Sequence, residues 1–152
     1  MDVLSVAASV IAVIQISESA ASLCSQYFTA VKNAKPDIER LQGELINLKT
    51  VLEGAQRLLT DPNSARLRTS QALHDGLRGC YSQLTKLEAK LKKKLNPGET
   101  GNMMSRFGLR ALKWPFESKD VDNIIQTLKQ FRNTLSADLS IDQAYVVYSC
   151  SP

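Results

Sequence analysis

The sequence predicts an all-α fold: an antiparallel four-helix bundle with one additional short helix and a C-terminal tail. Three observations carry that expectation. Apolar residues recur in steps of three and four along four long segments, the spacing of one helix face. The five prolines and seven glycines sit mostly between those segments. Alternating β-branched runs, the mark of strands, are almost absent.

The first segment spans residues 3–31. Its first half, VLSVAASVIAVIQI from Val3 to Ile16, is interrupted only by Ser5, Ser9 and Gln15. No charge lies between Asp2 and Glu18, and no Lys or Arg precedes Lys32. Asp2 is suited to cap the helix. A helix apolar on most sides must be surrounded by protein or by lipid. The second half is ordinarily amphipathic, with Ile16, Ala20, Leu23, Tyr27 and Val31 on one stripe and Glu18, Ser22, Ser25, Gln26 and Thr29 opposite. The basic region that a signal peptide needs is missing. The charge-free part, about 21 Å of helix, is short against a hydrocarbon core of about 30 Å. The expected place of this helix is the trough enclosed by the other three, with membrane entry on activation as the alternative.

Pro36 suits the first turn of a second helix, and Asp37 and Glu39 suit the positive end of its dipole. Ile38, Leu41, Leu45, Leu48, Leu52, Ala55 and Leu59 then form a seam over three heptads. Asp61-Pro62-Asn63 ends it. A third helix, from about Gln71 to Leu95, carries the stripe Leu73, Leu77, Cys80, Leu84, Leu87, Leu91 and Leu95. Lys86, Lys90 and Lys93 lie opposite, with Lys92 and Lys94 beside them. Asn96–Asn102 (NPGETGN) is a loop, and Met103–Lys113 (MMSRFGLRALK) reads as the short helix. Trp114-Pro115-Phe116 is a corner whose aromatic rings plug one end of the bundle. Ser118 is the expected N-cap of the last helix, with Asp120 in its first turn. Val121, Ile124, Ile125, Leu128, Phe131, Leu135 and Leu139 are its buried stripe. The period fades near Ser140, so the domain is expected over residues 1–142, with 143–152 as an extended tail or linker.

The net charge of +4 is unevenly placed: residues 62–95 alone carry +6. That asymmetry suggests an anionic partner, either lipid headgroups or an acidic protein face. A solvated helix face is the simpler use of the same lysines. Cys24, Cys80 and Cys150 are widely spaced and form no metal-ligand set, as expected of reduced thiols in a cytosolic protein. Catalysis is not expected. The single histidine, His74, has only Asp75 beside it, NPGETG lacks the Lys-Ser/Thr of a phosphate loop, and no cofactor or metal motif occurs. A basic face without interleaved aromatics argues against nucleic acid.

Three stretches carry a resemblance: the opening MDVLSVAASVIAVIQIS, the leucine-seamed helix after Pro36-Asp37-Ile38-Glu39, and ALKWPFESKDVDNIIQTLKQF after a short basic helix. Over about residues 1–142 the chain resembles the HeLo-like domain, the fungal N-terminal domain of NOD-like STAND proteins. That family is similar to the four-helix domains of mixed-lineage kinase-like necroptosis proteins. The resemblance implies a cell-death effector, cytoplasmic at rest, activated by oligomerisation of an adjoining NACHT-type NTPase or amyloid signalling motif. The first helix is then freed to permeabilise the plasma membrane. On this reading Val3, Leu4, Val6, Val10, Ile11, Val13, Ile14 and Ile16 supply the inserting surface, and Glu18 and Ser22 face water in a homo-oligomer. Lys86, Lys90, Lys93, Lys94, Arg106, Arg110 and Lys113 hold anionic lipid. The rival is a soluble helical interaction module of a STAND-type receptor.

Overall fold

A computed structural model of the chain describes residues 3–60, 71–95 and 113–150. Four long helices account for nearly all of them: α1 (Val3–Ala30), α2 (Lys35–Leu59), α3 (Gln71–Leu95) and α4 (Ser118–Cys150). Among the described residues there is no strand. Most of the short basic helix expected over 103–113 lies outside the described residues; Lys113, at its end, is not helical.

The expected apolar stripes are the core. Ile38, Leu41, Leu45, Leu48, Leu52, Ala55 and Leu59 of α2 are all buried, as are Leu73, Leu77, Cys80, Leu84, Leu87 and Leu91 of α3. On α4, Val121, Ile125, Leu128 and Leu135 are buried, and Ile124 and Phe131 pack against them half-buried.

Polar contacts fix the helix directions. Gln42 Nε2 donates to the Ala21 carbonyl (3.1 Å) and to Ser25 Oγ, while Lys49 Nζ meets Glu18 Oε1 at 3.1 Å. Residue numbers fall along α1 as they rise along α2, so the two are antiparallel. Arg40 pairs with Asp122, and Arg132 Nε donates to Glu44 Oε1 (2.9 Å), so α2 and α4 are parallel. Tyr27 OH donates to the Leu91 carbonyl (2.8 Å), which sets the C-terminal ends of α1 and α3 together. Each helix thus reverses the direction of the one before it.

Short connectors predict that sequential helices are antiparallel neighbours, and one sequential pair is not. α1 packs on α2 and α3, α2 also packs on α4, and α4 meets α3 only sparsely. α2 and α3 are therefore diagonal, not adjacent.

α1 is also not enclosed by the other three. It occupies a corner, with Ala8, Ile11, Gln15, Glu18, Ser22 and Ser25 exposed along one outward stripe. Large side chains point inward, with Val6, Val10, Val13, Ile14, Ile16, Leu23 and Tyr27 buried. Ala7, Ala8, Ala12, Ser9 and Ser19 fill most of the outer and flanking positions. A helix with small residues outside reads as apolar all round, because alanine adds to the hydrophobic count wherever it points.

Two helix ends also depart from expectation. Ser118 does not cap α4: its hydroxyl donates across to Asp37 Oδ2 (2.6 Å). The cap is Glu117, whose backbone N–H donates to Asp120 Oδ2 (3.1 Å), one half of a capping box. The extended tail expected after Ser140 is helical as far as Cys150. No proline or glycine occurs in Ser118–Cys150, so nothing within that stretch breaks the helix.

Candidate functional site

The functional residues expected from the sequence fall at opposite ends of the bundle. Of the apolar set, Val6, Val10, Val13, Ile14 and Ile16 are buried against α2 and α3, and Ile11 is 42% exposed. The side chains of Val3 and Leu4 lie outside the described part. Glu18 and Ser22 are exposed on the same outward stripe, with Glu18 paired to Lys49. That contact holds the Lys49 ammonium above its ordinary range.

Lys86, Lys90 and Lys93 are exposed near the C-terminal end of α3, and Lys113 is exposed beyond it. The Lys94 side chain, Arg106 and Arg110 lie outside the described residues. Because α1 and α3 run the same way, these lysines stand beside Tyr27 and not beside Val6–Ile16. About 30 Å of α1 separates Tyr27 from Val6, at 1.5 Å per residue. Lys90 Nζ sits 4.9 Å from the Phe116 ring centroid, which draws its charge toward the bundle end.

That end is an aromatic cluster. Trp114 meets Tyr27 edge-on (centroids 5.2 Å apart, planes at 81°) and Phe116 likewise (5.3 Å, 66°). Tyr27 has no exposed surface. Burial first, then the nearby Cys24, pushes its hydroxyl up to about 12 from the ordinary 10.0. Trp114 plugs the core as its sequence position suggested, but its Nε1–H is buried without an acceptor among the described residues. Lys35 Nζ donates to the Phe28 carbonyl (2.9 Å), placing a cation at the negative end of α1.

Sequence periodicity missed one polar element. Glu44 lies inside the α2 seam, between Leu41 and Leu45, and is only 4% exposed. Its partner Arg132 sits on α4 between Leu128 and Leu135. The only sequence signal was the position itself: an acid one residue from a buried heptad position on α2, and a base between two core leucines on α4.

Burial pushes the thiols of Cys24 and Cys80 up to about 12 from 9.0, leaving about one thiolate in 10⁵ at neutral pH. Among the described residues no group of His, Cys, Asp and Glu side chains is placed to hold a metal. Two cavities lined by described residues are noteworthy. One, between α3 and α4, is floored by Leu84, Leu87, Ile124 and Leu128 and rimmed by Lys86 and Lys90. The other lies at the bundle end beside Trp114.

No curated protein and no solved structure matches this chain significantly. A family model does, described as the N-terminal part of pigment biosynthesis cluster protein PigL, and its match covers residues 1–145. That span includes all of α1, α2 and α3 and most of α4. The chain therefore belongs to the PigL N-terminal domain family.

Proposed function

We propose that this helical domain is a membrane-directed effector, related in action to the HeLo-like domains that its opening and closing motifs resemble. At rest α1 is held in the bundle. Oligomerisation, driven by an adjoining NACHT-type NTPase or an amyloid signalling motif in cis or trans, releases α1 into an anionic plasma-membrane leaflet. The domain acts without catalysis, without a cofactor and without nucleic acid.

One observation carries this reading. Val6–Ala30 is long and apolar enough to cross a membrane, and 44% of the residues in its apolar window are buried in the bundle. Its outward stripe holds a single charge, Glu18, so few ionic contacts retain it. Ser17 weakens its seat further: the residue is 1% exposed, and its hydroxyl has no partner among the described residues. An unmet buried hydroxyl costs about 1–3 kcal/mol. In an assembly of released helices, Gln15, Glu18, Ser22 and Ser25 would form one wet stripe. A single inserted helix would pay about 3 kcal/mol for a mid-membrane carboxylate.

The rival reading, a soluble interaction module, draws on the close packing of Val6, Val10, Val13, Ile14 and Ile16. Vesicles separate the two. Dye-loaded anionic vesicles are expected to leak on addition of oligomerised protein, and neutral vesicles are not. A chain lacking residues 1–20 is expected to lose leakage while keeping helical circular dichroism from α2, α3 and α4. Leakage that persists in that chain removes α1 from the mechanism.

A further inference from the structure

The cavity at the bundle end was not singled out by the sequence. It is about 380 Å³ and is lined by Val31, Lys32, Asn33, Ala34, Lys113, Trp114 and Phe116. Its walls come from the α1–α2 turn on one side and the approach to α4 on the other. We propose that this cavity binds one phosphate ester, the headgroup of an anionic phospholipid, between the ammonium groups of Lys32 and Lys113. The inference deepens the membrane reading by naming the group that is recognised first, and it rests on that reading only for the source of the phosphate.

Four features of the cavity support it. Lys32 and Lys113 are both exposed, and among the described residues neither has a carboxylate partner. Arg40, Lys49, Lys92 and Arg132 are each paired with an acid, while Lys86, Lys90 and Lys93, outside this cavity's wall, have no acid partner among the described residues, like Lys32 and Lys113. Two acids at this end are already engaged: Asp37 by Arg40 and Ser118, and Asp120 by the Glu117 amide. Asn33 adds an amide able to donate to a phosphate oxygen. The floor is packed, with Trp114 held edge-on between Tyr27 and Phe116.

The fourth feature is the backbone. Ala34 has φ 73°, the left-handed region, and is the only non-glycine residue with positive φ among the described residues. It precedes α2 without a side-chain cap. An alanine held there costs about 1–2 kcal/mol. Such strain is retained where a turn must present a defined surface. Here the turn sets Lys32 and Asn33 on the cavity wall. The headgroup would dock at the end of the bundle far from Val6, so α1 must detach along its length to reach the bilayer.

Trp114 is the only tryptophan of the chain, so its fluorescence reports on this cavity directly. The full chain is titrated with a soluble inositol phosphate, and separately with phosphatidylcholine vesicles with and without a phosphatidylinositol phosphate. A saturable change in Trp114 emission is expected with the inositol phosphate and with the phosphoinositide vesicles, and none with phosphatidylcholine alone. Lys32→Ala/Lys113→Ala is expected to weaken vesicle binding about thirtyfold, from about fivefold per lysine near an anionic surface. Arg57→Ala/Lys129→Ala removes the same charge from exposed positions elsewhere and is expected to change it far less. Equal losses in the two pairs, or saturable binding that Lys32→Ala/Lys113→Ala leaves intact, overturn the site. Saturation by inositol phosphate without vesicle binding upholds the site and makes its ligand a free phosphate ester. Normal headgroup binding with no vesicle leakage upholds the site and overturns the effector reading.

Discussion

Replacing Arg132 by Met is expected to destabilise the bundle by about 3–5 kcal/mol. The substitution keeps the aliphatic length of the side chain and removes only its charge. Glu44 stays in place, 4% exposed, among the leucines of α2, and its one ion-pair partner is gone. A carboxylate left alone in a low-dielectric seam has neither water nor a cation to replace the loss. Joint replacement by Leu at Glu44 and Arg132 is expected to recover most of the stability, because both desolvation penalties disappear together. Urea denaturation followed by circular dichroism checks both variants. A loss below about 1 kcal/mol for Arg132→Met would put Glu44 in the class of solvated surface pairs.

Tyr27→Ala is expected to cost about 3–5 kcal/mol, the range for removing a buried aromatic ring. Tyr27 is fully buried, stacks edge-on against Trp114, and is the residue that ties α1 to the C-terminal end of α3. Tyr27→Phe keeps the ring and loses only the bond to the Leu91 carbonyl, for about 1 kcal/mol. The same unfolding curves separate them, and Trp114 emission is expected to shift to the red in the alanine variant as its packed neighbour disappears. Equal losses for the two would mean that the hydroxyl, and not the ring, holds this end together. The comparison bears on release, since Tyr27 is the polar link between α1 and α3.

Periodicity alone revealed the seams of α2, α3 and α4, because each buries one face and leaves the opposite face polar. Ile38 to Leu59 needed no revision at any position. α1 was misjudged for a physical reason: alanine and serine at its outward positions do not contrast with valine and isoleucine inside. The diagonal placement of α2 and α3 was illegible because residues 60–70 permit a neighbour or a diagonal equally. The Glu44–Arg132 pair was hidden because its members are 88 residues apart. The end cavity was hidden for the same reason: Lys32 and Lys113 share a wall only once the α1–α2 turn meets the Trp114 corner.

The central claim is that α1 leaves the bundle for the bilayer. It is tested most directly with an environment-sensitive fluorophore at Ile11→Cys in a chain carrying Cys150→Ser. Cys24 and Cys80 are buried in the folded bundle, where burial also raises their thiols, so labelling before oligomerisation is expected to favour position 11. Ile11 and Tyr81 are both more than 40% exposed in the bundle, on α1 and α3 respectively, so each accepts a probe without disturbing the core. On oligomerised protein bound to anionic vesicles, the probe at position 11 is expected to shift to the blue and to be quenched by labels at the bilayer centre. A probe at Tyr81→Cys is expected to remain in water. Vesicle-bound, leakage-competent protein whose position-11 probe stays beyond the reach of those central quenchers would contradict the account.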